Sequence, residues 1–193
     1  MRARRERGDG GAAAVEFALI LPVFLVLVFG LISAGLAYFH KIGLAQDVRE
    51  AGRYGATYVD SAGNNADDDP SGYVSDVLDA LVMDASQSGD LRTTGTIPSS
   101  TLDPSDPDQV VCAAYIPVTG SATRETRGDA ALPAGAGSYC YDDGLGSGAT
   151  AGYPRVQVYA KGDSTWNLVV LPSGPKVTFA SSAVYRYERW SQS

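Results

Sequence analysis

The chain has 193 residues and a formal charge of −7, with 22 glycines, ten prolines, two cysteines and one histidine. Its four N-proximal arginines sit among the first eleven residues, so residues 12–193 hold eleven basic and twenty acidic groups, a balance of −9. A body this acidic argues against nucleic acid as a partner, and no phosphate loop, dinucleotide fingerprint or G-x-S-x-G elbow points to a cofactor or a nucleophile.

Residues 1–11 form a basic leader with Arg2, Arg4, Arg5 and Arg7. From residue 17 to residue 39 no charged residue occurs. As a helix those residues span roughly 35 Å, enough to cross a bilayer core. The arginines place the N-terminus in the cytoplasm and residues 40–193 outside. Pro22 is expected to remove one backbone hydrogen bond and kink the rod, which membrane helices tolerate. Gly30 and Gly35 permit close approach of a neighbouring helix or are ordinary membrane-helix glycines. A single-pass signal anchor fits this pattern. A cleavable secretory signal, cut near Gly35-Leu36-Ala37, fits less well, because the apolar run exceeds a usual h-region.

Glu16 fits neither. A carboxylate close to hydrocarbon is costly and calls for a partner or a role. It stands fifth after Gly11, with Phe17 next. Cutting after Gly11 would expose an α-amine on Ala12, largely cationic at neutral pH. That amine and Glu16 of a neighbouring chain would pair and set the axial register between subunits.

A basic leader, a glycine, then a glutamate and an aromatic opening a long apolar helix resembles a type IV prepilin. The finer pattern GAAAVEFALILPVFLVLVFGLISAG, continuing weakly through DVREAGRYGA, resembles the TadE-like pseudopilins of Tad (tight adherence, Flp) pilus systems. The resemblance covers about a quarter of the chain and implies cleavage by a prepilin peptidase at Gly11 and Ala12. It implies assembly with other pilin or pseudopilin subunits, residence in cytoplasmic-membrane lipid before assembly, and a role for Glu16 and Phe17 in that assembly.

The expected fold is α+β and pilin-like. Four parts follow: a leader over 1–11, a transmembrane helix over 12–39, its amphipathic continuation over 40–59, and an extracytoplasmic domain over 60–193. Leu44, Val48, Ala51, Gly55 and Tyr58 form one stripe at helical spacing, with Arg49, Glu50 and Arg53 off it. The lone His40 reads as an interfacial residue. Residues 60–72 form a loop in which Asp67, Asp68 and Asp69 lack the alternating spacing of a calcium loop. The same holds for Asp103, Asp106 and Asp108. A second helix is expected over 71–86, with Ser71 near its N-cap, Val74, Val77, Leu78, Leu81 and Val82 inward, and Asp76 and Asp79 outward.

Residues 87–108 read as loop with a short strand around 91–97. A strand over 109–118 holds Cys112. Residues 119–137 read as a long Gly- and Ala-rich excursion, and 138–142, with Cys140, pairs with an earlier strand. Residues 143–152 read as a turn and 166–171 as a short apolar run. Residues 155–161 alternate, with Val156, Val158 and Ala160 on one face. The longest strand is 176–189, with Val177, Phe179, Ser181, Ala183, Tyr185 and Tyr187 on one face. Short connections favour an antiparallel sheet. Both cysteines fall in the part placed outside, where thiols oxidise, so Cys112 and Cys140 are a disulfide candidate. Two free thiols or a metal pair are the alternatives, and no histidine lies near either cysteine to build a zinc site. No metal site and no enzyme activity are expected.

Overall fold

A computed structural model describes residues 10–58, 65–88, 91, 93–94, 101–102, 109–128, 152–165 and 176–188. The leader before Gly10, the Asp103, Asp106 and Asp108 group, the Cys140 segment, the 143–151 part of the turn and the apolar run 166–171 lie outside the described residues.

Helix α1 runs Gly10–Thr57 as 48 unbroken residues, continuing through Pro22. Gly10 and Gly11 are already helical, ahead of the start near Ala12 or Ala13 expected from sequence. At 1.5 Å per residue it is about 72 Å long. Its first half is apolar all round and exposed, while its second half buries the expected stripe: Leu44 and Val48 fully, Ala51 and Gly55 nearly so. Arg49, Glu50 and Arg53 are exposed, as the spacing requires.

Helix α2 runs Pro70–Ser88. Asp69, not Ser71, caps it. The Gly72 amide donates to Asp69 Oδ1 at 3.0 Å, and Pro70 takes the first helical position, where its missing N–H costs nothing. Ser71 then lies inside the first turn. Val74, Val77, Leu78, Leu81 and Val82 are buried as expected.

Two two-residue strands, β1 (Thr93–Thr94) and β2 (Thr101–Leu102), pair antiparallel. The main sheet comprises β3 (Val110–Ile116), β4 (Thr123–Gly128), β5 (Arg155–Thr165) and β6 (Lys176–Arg186). Its order is β4-β3-β5-β6, antiparallel throughout. Strand β4 corrects the reading of 119–137 as an excursion. A short turn, with Gly120 at φ 101° in the left-handed region, returns the chain beside β3. The sequence TRETRG masks the strand because it carries the charges of a protected edge. Strand β5 also extends four residues beyond the expected 161.

Both helices lie on one face of this sheet, α1 against β5 and β6, α2 against β3 and β4. Between the layers sit Val111, Ala113 and Tyr115 of β3, Val156, Val158 and Ala160 of β5, and Phe179 of β6. Each fully buried Val or Leu here contributes roughly 1.5–3 kcal/mol. The other face of β3 and β5 is buried as well, with Val110, Cys112 and Tyr159 in contact. On β6 that face, including Thr178, Ala180, Ser182 and Val184, is exposed. The alternation expected for β6 is therefore present, whereas β5 buries both faces.

Candidate functional site

Gly11, Ala12, Glu16 and Phe17 all fall in the first two turns of α1. Gly11 is exposed, and a Cβ built on it meets nothing within 4 Å. Its φ is not positive. Neither packing nor backbone geometry demands glycine there, although glycine in a helix costs about 1 kcal/mol relative to alanine. Gly30 and Gly35 are equally open.

Glu16 is exposed, and among the described residues no ion pair reaches it. Phe17 is 64% exposed, and Leu19, Ile20, Val23 and Phe24 are similarly bare. The helix is long and apolar enough to cross a membrane, and its apolar window buries nothing against the rest of the chain. An exposed rod of this kind demands lipid or other protein around it.

Cys112 is buried on β3 and is not a free thiol. Cys140 lies outside the described residues.

Two further constellations were not legible in sequence. The first is an aromatic knot. The rings of Tyr73, Tyr115 and Tyr187 stand mutually edge-on with centroids 5.5, 5.6 and 5.5 Å apart. Their hydroxyls tie separate elements together. Tyr73 donates to the Gly55 carbonyl at 2.5 Å, and Tyr115 donates to Asp67 Oδ1 at 2.6 Å. Tyr187 accepts from the Ala66 amide at 3.1 Å. Burial, then the neighbouring Tyr187 and Tyr115, pushes the Tyr73 hydroxyl far above its usual value, so it stays protonated. These residues lie far apart in sequence, and no local spacing announces them.

The second is a cavity of about 550 Å³ between α1 and α2. Glu50, Asp76, Asp79 and Asp84 line it with Tyr54 and Tyr58. Asp79 is exposed, as expected, whereas Asp76 is half-buried, and both have partners. Tyr58 donates to Asp76 Oδ2, and Arg127 of β4 pairs with Asp79. Arg127 also donates to Glu125 Oε1 at 3.0 Å and to Ser75 Oγ at 2.9 Å. Burial works to lower the Arg127 pKa, but its bonds to Asp79 and Glu125 outweigh this and raise it. Burial, then the Glu50 charge, raises the Asp84 carboxyl.

The aspartates of the preceding loop also have local roles. Asp67 accepts from Tyr115, Asp68 accepts from the Asn65 amide at 2.9 Å, and Asp69 caps α2. Among the described residues no group of His, Cys, Asp and Glu is arranged to hold a metal ion.

No match was found among curated proteins or among solved structures. Residues 11–53 match the family model described as TadE-like protein. That segment begins at Gly11, contains Glu16 and Phe17, and runs through the buried stripe as far as Arg53. Over residues 11–53 helix α1 is therefore similar to TadE-like proteins.

Proposed function

We propose that this chain is a minor pilin or pseudopilin that contributes to assembly of a Tad/Flp-type pilus. A prepilin peptidase cleaves it between Gly11 and Ala12. One observation carries the reading: within the TadE-like match, a glycine that packing does not require precedes a lone carboxylate on a bare apolar helix.

The leader holds the unprocessed form with its N-terminus in the cytoplasm and residues 40–193 outside. Cleavage exposes the Ala12 amine, which the Glu16 carboxylate of an adjacent subunit neutralises. Ala12 and Glu16 are separated by about 6 Å of helical rise, so each pairing offsets successive subunits along the filament. Gly30 and Gly35, open on this chain, allow neighbouring helices to approach closely. The chain's role is structural rather than catalytic, with no cofactor. Cys112 pairs with Cys140 outside the membrane, where a disulfide persists.

Determining the mature N-terminus of the protein recovered from membranes tests this. Ala12 is the expected first residue. Met1 would instead identify an unprocessed, membrane-anchored surface protein with a structural or adhesive outer domain. A start near Tyr38 would identify a secreted protein.

A further inference from the structure

We propose that the seam between α1 and the start of β6 holds a phospholipid of the membrane, with its phosphate at Lys41. This goes beyond general immersion in lipid and rests only on α1 spanning the bilayer.

The seam is a cavity of about 400 Å³, bounded by Ala34, Ala37 and Lys41 on α1 and by Val177 and Phe179 on β6. Its height relative to a bilayer follows from the helix. Glu16 marks the last charged position before the apolar run, so hydrocarbon begins at Phe17. A core of about 30 Å takes about 20 helical residues and ends near Leu36. Ala34 and Ala37 then straddle the boundary between hydrocarbon and headgroups. Lys41, exposed, stands about 7 Å higher, at the level of the phosphates. The cavity is thus apolar at its lower end and cationic at its upper rim, which is the polarity of a phospholipid entering from the outer leaflet.

The chain connectivity orients the sheet the same way. Thr165 of β5 pairs with Lys176 of β6, next to Val177 of the seam, so this end of the β5–β6 pair lies nearest the boundary.

The test uses the full chain in nanodiscs of phosphatidylcholine and phosphatidylglycerol containing two photoreactive phospholipids, one labelled near its headgroup and one labelled along its acyl chain. Adducts are mapped by mass spectrometry. Adducts are expected on peptides containing Ala37 and Val177. Lys41→Glu should lower their yield about fivefold, and Lys41→Arg should preserve it. Ala37→Trp, which fills the seam, should abolish them while adducts along 17–36 persist. Adducts along 17–36 with none at the seam, or a seam yield indifferent to the charge at 41, would overturn the proposal. A seam occupied by a second copy of the helix would give the first of these results. Absence of adducts along 17–36 would instead show that α1 does not span the bilayer. Neither peptidase nor filament is present, so processing and assembly do not bear on the outcome.

Discussion

The hydroxyl of Tyr73 on α2 donates to the backbone carbonyl of Gly55, on the last turn of α1, at 2.5 Å. This bond reaches a carbonyl near the C-terminus of α1, where intrahelical partners run out. Gly55 is glycine for the same contact. A Cβ there would meet the Tyr73 oxygen at 3.0 Å and Val77 Cγ2 at 3.0 Å. Tyr73→Phe should keep the edge-on ring packing and lose the bond, at a cost of about 1 kcal/mol. Tyr73→Ala should also open a cavity and cost about 3–5 kcal/mol. Thermal unfolding followed by circular dichroism distinguishes the two. Equal losses from both variants would show that the ring contributes nothing.

Gly52 is a second close approach. A Cβ there would lie 2.5 Å from two ring carbons of Tyr185 on β6. Gly52→Ala gains about 1 kcal/mol of helix propensity, yet should destabilise by about 1–3 kcal/mol through overpacking. Combining it with Tyr185→Ala should recover most of that loss, since the clash then disappears. A double-mutant cycle in denaturant reads this coupling directly. Additive effects would contradict it.

The groove between the helices should make stability depend on pH. The Asp84 carboxyl is raised by burial and by Glu50, so its folded pKa exceeds its unfolded one. Its contribution is therefore fully present below the unfolded value and is lost as pH rises through the folded one. Asp84→Asn should stabilise the protein at neutral pH and flatten this segment of the stability profile. An unchanged slope through the carboxylate range would rule out Asp84 as its source.

Arg127 joins the edge strand β4 to α2 through Asp79 and Ser75. Arg127→Met keeps much of the aliphatic stem and removes the fork. Because Asp79 is 63% exposed, the loss should be about 1 kcal/mol rather than that of a buried pair. Hydrogen exchange should show the β4 amides opening before those of β5.

At the N-terminus, Gly11→Ala should leave folding untouched, since open space surrounds the added methyl, while blocking cleavage. The measurement is an unshifted band on a gel. Glu16→Val should leave insertion and cleavage intact and reduce the protein found in filaments. Normal incorporation of that variant would remove the proposed counter-charge to the Ala12 amine.

Much of this fold was legible because its helices and its longest strand repeat on a short period. Leu44, Val48 and Ala51 on α1, the five buried residues of α2, and the alternation of β6 each announce an inward face within a dozen residues. What escaped has no such period. Strand β4 is short, charged and placed at an edge, so its sequence obeys the need to avoid stray pairing rather than the need to fill a core. Asp69 outcompetes Ser71 as the cap because Pro70 fixes the first turn one residue earlier. The tyrosine knot joins rings 42, 72 and 114 residues apart that only tertiary folding brings together, and the bond from Tyr187 to the Tyr58 carbonyl spans 129 residues. At the candidate processing site the motif at Gly11 and Glu16 was visible from spacing and chemistry alone. The structure adds that nothing among the described residues packs against that glycine.

Because α1 continues without interruption from its bare apolar half into the stripe at Leu44, Val48 and Ala51, no joint separates anchor from domain. Traction that draws the rod out of its surroundings is transmitted straight into the interior of the domain. The load falls in shear on the contacts of that stripe with β5 and β6, so mechanical extraction and integrity of the outer body are borne by the same few side chains.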